Sequence, residues 1–395
     1  MVLVKRKLLA GRRAFVTLAS QSIGNDLLKG LVEIITNGDD SYYRLESKGI
    51  PGSGKIEIEI DRRPKSKQTL IRIRDFAEGI DNQRMDECVG YYGENVSGDT
   101  GRGFFGMGLK DTIINFGEGE IKSIKDAKYY RCKLKADDFT LYNPTTADKR
   151  IRKELSIPNN GTVVEILVTN PRVRIPYFEN LREDLQNHIL LRLIMSDTHR
   201  TIVLRDLRSG NESTLFYQEP EIDAILFDKV VPIPEFPNAQ IQFTVKKAKG
   251  SFPLSQEGSC RTGGILITTR RTVHEATLFE YDSDPFAANL FGELRCEYIY
   301  ELQHSSEPVV DRNRDGLMRN HPFTKCLVRE AKKILKTIVE EEKEKEKQRE
   351  RELENENTRK RFQEAVKELN KIATLELEKL SGPGTGGTGH CTAPL

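Results

Sequence analysis

Glu33, Asn37 and Asp40 follow one another at steps of four and three residues in the stretch "VEIITNGDDS". On a helix those steps stack the three side chains along one stripe. Asn, Asp and the neighbouring Gly38 are poor helix formers, so propensity gives no reason for them to be there. Two carboxylates and a carboxamide on one stripe either decorate a surface or face a ligand. Three other elements favour the ligand. Asp75 and Gly79 follow a strand in "DFAEGI". Gly103, Gly106 and Gly108 form G-x-x-G-x-G, with Lys110 two residues on. Gly161 and Thr162 open a later strand. A carboxylate where a strand stops can accept a hydrogen bond from a ligand, and is worth burying only when a donor meets it. Glycine lets backbone approach a ligand closely, and backbone amides at a helix start attract anions. Each element is weak alone; their order and spacing make them a candidate site.

The elements that must hold these residues are legible in outline. Apolar residues from Ile23 to Ile35 recur at helical spacing, which predicts a helix over 22–48. "KIEIEID" and "TLIRIRD" alternate as strands of a hairpin. A short helix near Asp81–Val89 precedes the glycines of 98–108, which predict a mobile lid, and a helix starts at Leu109. "EIKSIK", "KYYRCKLK" and "GTVVEILVTN" read as strands. A second unit holds a helix over Glu179–Met195 and strands near Thr201–Asp206 and Gln240–Lys247. "GGILITTRR" and "GELRCEYIYEL" extend it as strands, and "HPFTKCLVREAKKILKTIVEE" closes it as a helix. From Glu340 to Arg361 nearly every residue is polar. Phe362, Val366, Leu369, Ala373, Leu377 and Leu380 then form a short amphipathic seam that suggests coiled-coil pairing.

One motif is a decoy. "GIPGSGKI" places Gly49, Gly54 and Lys55 as a phosphate loop would, but Ile56 replaces the required hydroxyl and a strand follows where a helix is needed. The 395 residues suggest two or three domains. A net charge of +2 does not announce nucleic-acid binding, but residues 1–20 carry Lys5, Arg6, Lys7, Arg12 and Arg13 with no acid. The six cysteines form no Cys-x-x-Cys pair, which argues against zinc and against a disulfide framework. No apolar run has the length of a membrane span, about 18 residues, and a reducing cytoplasmic (or nuclear) compartment is the expectation.

With its four elements in this order, the sequence resembles the GHKL ATPases, the family of gyrase B, the heat-shock-90 chaperones, histidine kinases and MutL. "GRGFFGMGLKD" is most similar to the microrchidia (MORC) branch, in which a lysine follows the last glycine by two positions. The resemblance covers about residues 20–170. It implies an α+β chain with a basic N-terminal arm (1–20) and a Bergerat-fold ATP-binding domain (21–174). That domain is an α/β sandwich, its mixed or antiparallel sheet carrying helices on one face. A transducer-like α/β domain (175–338) would follow, and composition adds a charged helix (339–380), a possible coiled coil, and a flexible Gly-rich tail (381–395).

The resemblance also implies ATP and Mg2+ as cofactors and gives each residue a role. Asn37 would complete the magnesium shell, Glu33 would orient and deprotonate the attacking water, and Asp40 would support the adenine side. Asp75 would accept the adenine amino proton, with Gly79 and Thr162 beside the base. Gly103, Gly106 and Gly108 would form the lid, and Lys110 would meet the terminal phosphates. Arg314, or alternatively Arg312, would reach the phosphate from the second domain. Ala77 stands where the family's D-x-G-x-G motif has glycine, and Gly38 replaces a common alanine. The histidine-kinase branch is set aside because the first histidine is His188. The implied function is slow ATP hydrolysis that operates a nucleotide-gated homodimeric clamp. DNA is the client that the basic N-terminus suggests. A chaperone acting on protein clients, and a nucleotide-regulated scaffold, stay open as alternatives.

Overall fold

The computed structural model describes residues 12–63, 68–90, 108–136, 138–253, 259–304, 309–311 and 316–380. Gly103, Gly106, Arg312, Arg314, the arm up to residue 11 and the tail from residue 381 lie outside the described residues. The chain forms two compact units, 1–333 and 334–395. It is mixed α/β, compatible with the expected α+β class.

The first part of the larger unit runs α1 (Arg12–Ile23), α2 (Leu27–Ser47), β1 (Lys55–Arg63), β2 (Gln68–Asp75), α3 (Asn82–Gly90), α4 (Gly108–Phe116), β3 (Gly117–Lys125), β4 (Lys128–Lys135), β5 (Asp138–Leu141), β6 (Thr145–Thr146), α5 (Lys149–Leu155) and β7 (Gly161–Val168). There follow α6 (Phe178–Asn187), α7 (Arg192–Ser196), β8 (Thr201–Asp206), β9 (Glu212–Leu215), β10 (Ile222–Ile233), β11 (Phe236–Ala248), β12 (Gly264–Thr269), β13 (Thr272–Thr277), β14 (Leu290–Arg295), α8 (Tyr298–His304) and α9 (Pro322–Leu380).

The first sheet has the order β5-β4-β3-β7-β2-β1-β8-β9, with β6 paired to β4. Its ladders are antiparallel except β1 with β8, which is parallel. The strict alternation of β1 explains its two faces. Ile56, Ile58 and Ile60 are buried in one core with Ile35 of α2 and Ile113 and Phe116 of α4. On the opposite face Glu57 meets Arg74 at 2.5 Å and Arg205 at 3.2 Å. Glu165 likewise meets Arg72 at 2.8 Å and Lys122 at 2.6 Å. Opposite charges on neighbouring strands favour this register over a one-residue slip. A second sheet, β10-β11-β14-β12-β13, lies in the same unit.

The structure departs from the sequence reading in four places. The helix expected over 22–48 begins only at Leu27, after a separate α1 that ends at Ile23. Gly24 (φ +67°) and Asn25 (φ +57°) form a left-handed break, and Asp26 caps the second helix by accepting from the Leu28 amide at 2.8 Å. The helix expected over 179–195 breaks at His188, whose backbone bridges to Cys260 while the Ile189 amide donates to the Ser259 carbonyl. The strand at 201–206, expected in the second domain, pairs with β1 in the first sheet. "GELRCEYIYEL" is a strand only to Arg295, and Tyr298–His304 is helical. In the smaller unit, the seam residues Phe362, Leu369 and Leu377 are exposed.

Helices α2 and α4 cross where Gly30 faces Phe116. A Cβ at Gly30 would stand 2.5 Å from the Phe116 ring and 2.8 Å from the Thr112 methyl. Phe116 and Thr112 are fully buried and have little room to yield. Gly30→Ala therefore gains about 1 kcal/mol of helix propensity but loses more to overpacking, of order 1–3 kcal/mol. The expected net result is a lower urea midpoint; an unchanged or raised midpoint would contradict this packing.

Candidate active site

The α2 stripe forms one wall of a cleft of about 540 Å³. Glu33 and Asp40 are buried there, and Asn37 is exposed on the same wall. Asp75, Gly79, Gly108 and Thr162 line it too. The structure thus brings together seven sequence-predicted residues from α2, the end of β2, the start of α4 and the start of β7. Ile34, Ile56, Ile73, Ile80 and Val164 supply apolar lining.

Asp75 ends β2 with Ile56 of β1 on one side and Thr162 of β7 on the other. Its Oδ1 accepts from the Ala77 amide at 3.0 Å. Burial pushes its carboxyl up to about 7, against the pull of the Ala77 and Thr162 amides and of Arg44. Ala77 itself is buried and has no left-handed backbone, so that position does not require glycine. Gly79 is required. Its φ is +74°, and a Cβ would run into the Ile124 carbonyl.

Gly38 carries α2 close over the sheet. A Cβ there would lie 3.3 Å from Ile56 Cδ1 and 3.6 Å from Asp75 Cβ. At the other end of the stripe, a Cβ at Gly108 would collide with the Glu33 carboxylate. The Glu33 carboxylate therefore lies directly against the first residue of α4. Lys110, expected over phosphates, does not line the cleft. It is 2% exposed, with Nζ 3.5 Å from the Val89 carbonyl, and burial brings its ammonium down to about 8.

Several residues of the site had escaped sequence reasoning. Ser123 Oγ accepts from the Ile80 amide at 2.7 Å, donates to the Gly161 carbonyl at 3.0 Å and lies 3.2 Å from Thr162 Oγ1. Its signal was a lone hydroxyl two residues from Ile121, on the core-facing side of β3. Tyr42 Oη donates to the Lys55 carbonyl at 2.7 Å and accepts from the Phe76 amide at 3.0 Å, which fixes the chain just past Asp75. Arg44 pairs with Glu78 at 2.5 Å and Lys125 with Asp81 at 2.7 Å, and all four line the cleft. No sequence pattern links those pairs.

No three His, Cys, Asp or Glu residues converge on a common point among the described residues. A magnesium ion needs no such cage, because it keeps waters and takes phosphate oxygens beside one or two protein ligands. The exposed carboxamide of Asn37, facing the cleft beside buried Glu33, fits that demand. No helix among the described residues is long and apolar enough to cross a membrane. No protein-family model matches the chain, and no curated protein matches it either.

Asp75 makes a stability prediction. Its folded carboxyl titrates near 7, above the ordinary value of about 4, so the fold binds its proton more tightly than the unfolded chain does. That contribution is full below about pH 4 and is lost as pH rises through about 7. Asp75→Asn removes the dependence. In urea unfolding, the variant should gain stability relative to wild type between pH 5 and pH 8; an equal difference at both would refute the perturbed carboxyl.

Proposed function

We propose that this cleft binds Mg-ATP and hydrolyses it, and that the chain is a GHKL-type ATPase with a Bergerat nucleotide site. The observation that carries the reading is the meeting of four separate elements, spread from Glu33 to Thr162, around one cavity. Scattered surface residues would have no reason to converge.

In this reading, Asp75 accepts the adenine amino proton and Gly79 lets the backbone lie against the base. Ile34, Ile73 and Val164 exclude water around the ring. Ser123 holds Thr162 ready at the adenine edge. Asn37 would hold Mg2+ through its carboxamide oxygen. Magnesium supplies neutralisation of charge on the phosphates. Glu33 orients a water for attack and takes its proton. The first turn of α4 points its amides and positive dipole end at the phosphates.

A base that donates to Asp75 restores its charge. Binding near neutral pH then releases a proton, and affinity weakens as pH falls below about 7. Calorimetry in two buffers of different ionisation enthalpy reads this directly. Equal heats in both buffers, with affinity flat from pH 6 to pH 8, would contradict it.

Two substitutions test the roles. Glu33→Ala should keep nucleotide affinity and lose turnover by about 100-fold or more. Asp75→Asn should lose binding by about 10-fold or more, because it offers the base a mismatched partner. Normal hydrolysis by Glu33→Ala would remove that residue as the base. The resemblance extends the reading to a clamp that dimerises on ATP, with DNA as its client. A non-hydrolysable ATP analogue should then convert monomer to dimer in sizing experiments, and an unchanged mass at saturation would count against the clamp.

A further inference from the structure

Helix α2 carries a second polar stripe, made of Asp39, Tyr42, Tyr43 and Glu46. Asp39 is one residue from Asp40, so the two point about 100° apart around the helix. Asp39 is fully buried and accepts from two arginines. Arg200, just before β8, donates from Nε at 2.5 Å, and its other nitrogens hold Glu46 at 2.5 and 2.9 Å. Arg271 donates from Nη2 to both Asp39 oxygens at 2.7 Å.

Arg200 is shared between Asp39 and Glu46, so two carboxylates are matched by two arginines. The second comes from the other sheet, at the turn between β12 and β13. Arg271 also stacks over Tyr43 at 4.5 Å, and its neighbour Arg270 stacks over Tyr300 at 3.8 Å. From Arg200 the chain of contacts continues. Its guanidinium lies 5.2 Å from the Tyr42 ring, and the Tyr42 hydroxyl accepts from the Phe76 amide, next to Asp75. The β12–β13 turn therefore grips the helix that bears Glu33 and Asn37, and connects through side chains to the end of β2.

We propose that Arg271 is a positioning residue for the cleft: it fixes the rotation of α2 on the first sheet, so that Glu33 and Asn37 meet the nucleotide in register. The inference rests on the Mg-ATP reading above. It makes the second sheet part of the catalytic apparatus without any contact to substrate. A misplacement of about 1 Å at a reacting group costs on the order of 100-fold in rate, so a small rotation of α2 suffices.

The test compares Arg271→Met with Arg271→Lys in steady-state Mg-ATP hydrolysis and thermal melting. Arg271 is partly exposed, and Arg200 still donates to Asp39 when it is gone. The methionine variant should therefore melt within a few degrees of wild type. Its kcat should fall about 10-fold or more while KM for Mg-ATP changes less than about 2-fold. The lysine variant should restore most of kcat, because a single nitrogen already serves both Asp39 oxygens. A methionine variant with wild-type kcat would overturn the proposal and leave the ATPase reading intact. Equal losses in both variants, tracking a loss of folded protein, would also overturn it. A wild-type protein that neither binds nor hydrolyses Mg-ATP would remove the ATPase reading, and this proposal with it.

Discussion

Helix α2 lies close over the sheet at Gly38, near enough to share a cleft with it. At that residue the backbone passes just above Ile56 and Asp75. The helical period then does the rest. One stripe, Glu33, Asn37 and Asp40, faces the cleft. The next, Asp39, Tyr42 and Glu46, faces a set of arginines. Neither stripe could move without carrying the other, because both are fixed to one rigid rod.

Electrostatics divides the first sheet in a matching way. On the face away from α2, carboxylates such as Glu57 and Glu165 are answered by arginine and lysine from neighbouring strands. At the cleft end, Asp75 is met by backbone amides, and desolvation prevails. Glu57 and Glu165 are thus ion-paired, whereas Asp75 is held by amides in a desolvated position. That contrast, within one layer of the structure, sets Asp75 apart from the paired acids of the ladder.

The parts of this arrangement that depend on local pattern were readable in the sequence. The stripe on α2, the β1–β2 hairpin, and the starts of α4 and β7 all follow from residue period and glycine placement. What escaped depends on partners distant in the chain. The parallel pairing of β1 with β8 joins residues 146 apart in the chain, and no pattern in either strand names the other. The break at Gly24-Asn25 was hidden because apolar spacing continues across it. His188 breaks its helix because residues 259 and 260 take its neighbours' backbone groups, a tertiary effect. The tie between Asp39 and Arg271 is of the same kind: two ordinary charged residues whose meaning appears only when the second sheet folds back.

A crystal structure of the protein grown with magnesium and a non-hydrolysable ATP analogue tests the central claim most directly. The account predicts a metal ion bound to the Asn37 side-chain oxygen, the adenine amino group within hydrogen-bond distance of the Asp75 carboxylate, and a water between Glu33 and the terminal phosphate. A cleft left empty at saturating analogue, or a nucleotide seated elsewhere on the chain, would contradict it.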